Sequence, residues 1–196
     1  VTLCWPELVF TFFDPAKPYS LPPFGACTFH VGESTAAVLK DGLKPDILPL
    51  DLLWGEAAGP LGTGAALVIA GGALLLFLSR SAHWEPTAFF LGTAALLAAL
   101  FPRIACSPLT SVKYELLSGS LFFCAVFMVS NPVNEPRTPA GRCVYGALAG
   151  ALLMVFRYLG NYEQGAAFAV LLADAATPLI DSAAERFRGW EGKSHG

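Results

Sequence analysis

The chain is patterned as long apolar runs separated by short polar stretches. Five runs carry almost no charge: Gly62 to Leu78, Thr87 to Phe101, Leu116 to Val129, Cys143 to Leu159 and Gly165 to Ile180. Each lies near or below the usual spanning length of about 17 to 25 residues, and interfacial residues at its ends extend it. None alternates as a barrel strand does, so only helices satisfy their backbone in lipid. The pattern predicts an all-α integral membrane protein, a polytopic bundle of five transmembrane helices.

The stretches outside these runs define the predicted domain organisation. Residues 1–13 are apolar but interrupted by Pro6, and we interpret them as the end of a membrane helix that begins earlier in a longer protein. Residues 14–61 are rich in Pro, Gly and polar residues, which predicts an extramembrane loop. Residues 62–181 form the predicted transmembrane domain. The distribution of Lys and Arg places the tail, residues 182–196, on the cytoplasmic side.

Composition supports the membrane class and excludes others. Hydrophobic residues make up 55% of the chain and charged residues 14%, against about 25% charged residues in a soluble domain. The net charge of −3 and the lack of a Lys/Arg-rich run indicate no nucleic-acid partner. The five cysteines and three histidines are dispersed, so we predict neither a disulfide framework nor a metal site.

The most distinctive stretch is the polar turn between the third and fourth apolar runs. The third run ends at Asn131-Pro132, because proline lacks an N–H and restricts the residue before it. A solvated interfacial turn is one interpretation; a functional end of the bundle, with Arg137 or Arg142 holding an anion or a partner, is the other. Six polar residues lie within this turn and the start of the next run: Asn131, Asn134, Glu135, Arg137, Thr138 and Arg142.

Two acidic residues lie in or beside the last apolar run. Glu163 precedes it, where a carboxylate either favours a helix N-terminus or takes part in ion uptake. Asp174 lies inside it, four residues before Pro178. A carboxylate there is either a waypoint for a cation or proton, or a structural hydrogen-bond partner of backbone freed by the proline. Asp174 and Glu163 are therefore the ion-path candidates.

Two stretches carry a family resemblance. Residues 118–146, SGSLFFCAVFMVSNPVNEPRTPAGRCVYG, and residues 156–181, FRYLGNYEQGAAFAVLLADAATPLID, resemble the RnfD-like family of membrane proteins. This family unites the D-type component of the Rnf electron-transport complex with the B-type component of the sodium-pumping NADH:quinone reductase. The resemblance covers the chain as the C-terminal half of such a protein. It implies a prokaryotic inner (plasma) membrane protein that works with other Rnf-type subunits and lipid, coupling electron transfer to Na⁺ or H⁺ transport.

The resemblance also implies FMN, bound through its phosphate to a threonine in a loop of form D-G-x-S/T-x-A-T-P-L. The matching stretch here, VGESTAAVL, has Ala37 at the acceptor position, and alanine has no oxygen to esterify. Either the covalent link is lost, or Thr35 is modified instead. The cofactor-binding candidates that follow from the resemblance are Ser34, Thr35, Phe123, Asn131, Thr138 and Arg142. Phe122, Phe123 and Phe127 either flank a flavin or quinone or simply pack in the bundle.

We therefore expect a membrane subunit of an Rnf-type ion-translocating ferredoxin/NAD oxidoreductase, with no complete activity alone and catalytic residues that the sequence does not identify. FMN carries electrons in this hypothesis, without a covalent link if Ala37 ended it. Two other hypotheses stand beside it: a degenerate scaffold subunit without flavin, and a small-solute transporter built around Asp174 and Pro178.

Overall fold

The computed structural model describes residues 12–13, 31–32, 35–40, 42–56, 58–59, 62–102, 108–118, 120–159 and 165–194. Two short strands, β1 (Phe12–Phe13) and β2 (Val31–Gly32), pair antiparallel. The helices are α1 (Thr35–Lys40), α2 (Pro49–Trp54), α3 (Ala66–Leu78), α4 (Trp84–Leu100), α5 (Pro108–Leu117), α6 (Leu121–Phe123), a π-helix (Cys124–Met128), α7 (Pro139–Leu159) and α8 (Ala166–Ser194). The predicted class, a polytopic helical membrane protein, is confirmed.

Every predicted apolar run coincides with helix, but the helices differ in length. Among the described residues, Pro139–Leu159 and Ala166–Arg186 are long and apolar enough to cross a membrane. Leu109–Leu117 and Leu121–Met128 pass the same test only when counted as one span. α3 has 13 residues, about 20 Å at the helical rise, short of a hydrocarbon core of about 30 Å. The α8 helix continues through most of the predicted tail.

The chain divides into two compact units. The first comprises the described residues of 1–71 and 98–122. Its core holds Leu39, Leu52 and Tyr114, and the Tyr114 hydroxyl donates to the Ile47 carbonyl over 2.9 Å. The predicted loop 14–61 is therefore partly helical and packed, because its apolar residues find a common core. At the end of the 1–13 segment the chain is extended in β1, as the β-propensity of paired phenylalanines favours.

The second unit comprises the described residues of 72–97 and 123–196, with α7 packed on α8. Small residues of α8 recur at helical spacing along its buried face, and large apolar residues cover the opposite face, as on a helix between protein and lipid. The buried residues are Ala166, Ala169, Val170 and Ala173, and the exposed ones are Phe168, Leu171, Leu172 and Leu179.

Two glycines of α7 bring its backbone against α4. A Cβ added at Gly146 would lie 2.3 Å from the Pro86 carbonyl oxygen, and one at Gly150 would lie 2.7 Å from that of Phe90. The spacing is that of the GxxxG motif, by which small residues let membrane helices approach closely.

The π-helix leaves a carbonyl for another helix to satisfy. The Thr87 hydroxyl on α4 donates to the Ala125 carbonyl over 2.9 Å, and Thr87 is buried. Wide turns of this kind are uncommon and concentrate at functional sites. Here the turn lies directly before the polar turn 129–138.

Candidate functional site at the polar end of the last two spans

Local side-chain bonds shape the turn that leads into α7. The Asn131 side-chain oxygen accepts from the Val133 N–H over 3.2 Å. The Thr138 hydroxyl oxygen accepts from the Gly141 N–H over 3.1 Å, which caps the start of α7. A Cβ on Gly141 would lie 2.9 Å from the Pro136 Cβ, so the close turn depends on glycine. Asn131 and Thr138, two of the predicted cofactor residues, thus have structural roles here.

Asp174 is bound by two donors that come from elsewhere in the second unit. The Tyr145 hydroxyl donates to one carboxylate oxygen over 2.5 Å, and the Asn134 side-chain N–H donates to the other over 3.0 Å. Tyr145 is fully buried. Both oxygens therefore accept from side chains, and not from backbone freed by Pro178. Such pairing is what an acidic residue in a membrane helix requires.

Two further bonds hold the turn to α8. The Thr177 hydroxyl donates to the Asn134 carbonyl over 3.2 Å. The Arg137 backbone N–H donates to the Asp181 carboxylate over 3.1 Å. The polar turn is thus fixed to the last helix along its length, and it is more than a solvated connection.

Glu135 is buried within the same turn. Its side chain is 4% exposed, and one carboxylate oxygen, Oε1, contacts the His83 Nδ1 and lies 3.5 Å from the Arg142 Nε. The other oxygen, Oε2, is buried and has no hydrogen-bond partner among the described residues. The Arg142 Nε also donates to the Pro136 carbonyl over 3.2 Å. The Arg142 Nε is therefore engaged inside the turn, which weakens the expectation that Arg142 serves as an open anion site.

The remaining predicted site residues do not join this cluster. Ser34 and Glu163 lie outside the described residues. Thr35 belongs to the first unit, at the start of α1, and is 4% exposed. A buried hydroxyl lacks the access that a transferase needs, and Ala37 offers no oxygen. A phosphoester to FMN at either position does not fit this stretch.

Phe123 packs as a bundle residue. Its ring centroid lies 5.0 Å from that of Phe127 in a tilted arrangement. The Phe127 ring end lies 3.0 Å from the position of a Cβ on Gly72. This geometry favours packing over a flavin- or quinone-flanking role for the aromatic run.

Sequence reasoning missed four residues of the cluster. Asn134 and Glu135 were recognised only as polar turn residues, His83 as a dispersed histidine, and Tyr145 as part of an apolar run. Tyr145 follows Arg142 by one helical turn, so it shares a face with it, which is the one signal the sequence offered.

Fold and site define a helical membrane protein whose last two spans meet at a buried acid–phenol pair beside a polar turn. The model of the NQR2, RnfD, RnfE family matches residues 1–188, and the chain belongs to this family.

Curated relatives agree with this assignment. All three compared here are the D-type component of an ion-translocating oxidoreductase complex. The chain is 35% identical to that of Halorhodospira halophila, over 76% of this chain and 41% of that protein. It is 41% identical to that of Tolumonas auensis, over 58% and 32%. With that of Stutzerimonas stutzeri it shares 37% identity, over 77% and 42%. The chain thus spans less than half the length of these relatives.

Proposed function

We propose that the chain serves as a membrane subunit of an Rnf-type ion-translocating oxidoreductase complex in the plasma membrane of a prokaryote, and that it contributes part of the ion path. The family match over residues 1–188 supports membership of such a complex. The ion path rests on one observation: the Asp174 carboxylate lies inside a spanning helix and is held by Tyr145 and Asn134.

The chain's own groups have a defined task in this proposal. Asp174 is a half-buried negative charge with both oxygens occupied by neutral donors, so it attracts a cation without a permanent counter-charge bonded to it. Tyr145 and Asn134 fix its orientation. The glycine contacts of α7 hold the helix that carries Tyr145 in place.

The Asp174→Asn substitution tests the ion path in membrane vesicles that contain the whole complex. Asparagine keeps the shape and removes the charge, so ion transport per electron transferred should fall while the complex still assembles. Glu185→Gln, at an exposed position on the same helix, is the matched control. Unchanged coupling in Asp174→Asn would remove this residue from the path.

We further propose that FMN, which carries electrons in complexes of this type, is held here without a phosphoester. Ala37 has no acceptor oxygen and Thr35 is buried. Intact mass under denaturing conditions should equal that of the bare polypeptide, with flavin released into the supernatant. A mass increase matching FMN, located on Thr35, would refute this. Co-purifying subunits without any flavin would favour the scaffold function, and solute uptake without a complex would favour the transporter.

A further inference from the structure

One buried group has no part in the path just described. Glu135 is almost wholly buried, yet only its Oε1 meets other groups, and its Oε2 has no hydrogen-bond partner among the described residues. An unpaired buried carboxylate oxygen is unfavourable, because it has lost its water without a replacement donor. Protonation of the carboxyl group removes that penalty.

His83 connects this carboxyl group to the outside. Its side chain is 45% exposed, while its Nδ1 is buried against the Glu135 Oε1. A bare imidazole nitrogen and a carboxylate oxygen are both acceptors, so their contact requires a proton on one of them. The exposed part of the ring lies away from this contact. The imidazole thus has one side on the buried acid and another accessible from outside the protein.

The surrounding charges leave room for an added proton. The groups around the dyad are Arg142 and Tyr145 on α7, Glu85 in the first turn of α4, and Asp174 on α8. Glu85 also has a buried oxygen, Oε2, without a hydrogen-bond partner among the described residues. Carboxylates therefore outnumber the permanent cation, Arg142. A site with excess negative charge and a histidine is one where protonation relieves repulsion.

A proton suits this site better than a metal ion. Hard cations such as Ca²⁺ and Mg²⁺ take about six or more oxygen ligands. The described part of the chain has no group of three or more His, Cys, Asp or Glu side chains arranged to hold a metal ion. One free carboxylate oxygen beside an imidazole meets the needs of a proton.

We propose that His83 and Glu135 form a proton-loading site, in which the half-exposed imidazole takes a proton from water and passes one to the buried carboxylate. A proton from bulk water binds the outer ring nitrogen, Nε2. The Nδ1–H bond breaks and an O–H bond forms at the Glu135 Oε1. The imidazole is left neutral with its hydrogen on Nε2, and no electron is gained or lost.

This inference deepens the ion path and rests on the proposed function only for its physiological use. Glu135 is near enough to Tyr145 for its charge to act on the phenol, and Tyr145 bonds to Asp174. Loading Glu135 would thus place a proton beside the Asp174 pair.

The test is infrared difference spectroscopy of the complex in lipid between acidic and alkaline buffer, which detects the C=O stretch of a protonated carboxyl group. The wild type should show a band that is lost on raising the pH and is absent in Glu135→Gln. Glu185→Gln should retain the band. In His83→Gln the band should persist, but its appearance after a pH jump should slow by about a hundredfold, the lower end of what a positioned acid–base group contributes.

Because His83 is half-exposed, His83→Gln keeps the test decisive even if Glu135→Gln does not fold. A band that is unchanged in Glu135→Gln, or a His83→Gln variant that loads as fast as the wild type, would overturn the proposal. Loss of the band on adding Na⁺ at constant pH would overturn it in favour of a cation site. Loading that behaves as expected in a preparation without redox activity would leave the dyad standing and count against the proposed function instead.

Discussion

Substitution of Gly146 by alanine probes the helix contact that positions Tyr145. The new Cβ would lie 2.3 Å from the Pro86 carbonyl oxygen, and 2.9 and 3.0 Å from the Cα and C of the same residue. All three are backbone atoms, so no side-chain rotation relieves the overlap. An ordinary contact needs about 3.5 Å, so α4 must move away from α7 by about 1 Å.

The magnitude follows from two opposing terms. Overpacking of a close contact costs about 1–3 kcal/mol. Replacing glycine by alanine inside a helix returns up to about 1 kcal/mol. Gly92→Ala, on α4, has nothing within 4 Å of its new Cβ and therefore carries the second term alone. The difference between the two variants isolates the overlap, about 1–3 kcal/mol, or about five- to 150-fold in the unfolding equilibrium constant.

The assay is an SDS titration of the detergent-solubilised protein, followed by a spectroscopic signal of helix packing. Gly146→Ala should unfold at lower SDS than the wild type, and Gly92→Ala at equal or higher SDS. Equal stability of the two variants would refute the helix contact and, with it, the placement of Tyr145 beside Asp174.

Three other substitutions test single bonds by the same titration. Tyr145→Phe removes the donor to the Asp174 carboxylate and should destabilise by about 1.5–3 kcal/mol, as expected for a hydrogen bond to a charged group; no change would mean the bond is absent in lipid. Thr87→Val leaves the Ala125 carbonyl without its side-chain donor and should cost about 1–3 kcal/mol, whereas Thr87→Ser should restore most of it. Thr138→Ala removes the cap of α7 and should cost about 1 kcal/mol, with Thr138→Asn close to the wild type.

The sequence predicted the class and the helices well because these depend on apolar runs, which are local. The run from Cys143 to Leu159 contains Gly146 and Gly150, and their close approach to α4 depends on which helix lies opposite. Length was less predictable: α3 is short because residues 79–83 form a turn before α4 begins. The packed helices within 14–61 were missed because their core forms only when Tyr114, distant in the chain, joins Leu39 and Leu52.

The candidate site was predicted in its parts and not in its pairings. Asp174 was selected because an acid in an apolar run is unusual, which a single residue reveals. Its partners were not, since Asn134 lies 40 positions away along the chain and reaches it only through the fold. Asn131, earlier in the same turn, had been the expected cofactor residue and instead bonds to its own turn. Side-chain partners across helices are set by helix rotation, to which periodicity alone is insensitive.

The order of the chain bears on how the last span enters the membrane during synthesis. An aspartate near the middle of an inserting helix is unfavourable by about 2.5–3.5 kcal/mol on translocon-based scales. Both donors to Asp174, Asn134 and Tyr145, precede it in the sequence and belong to segments made before it. The nascent α8 therefore meets its hydrogen-bond donors as it leaves the translocon, and its charge does not have to wait in lipid for a partner still to be translated.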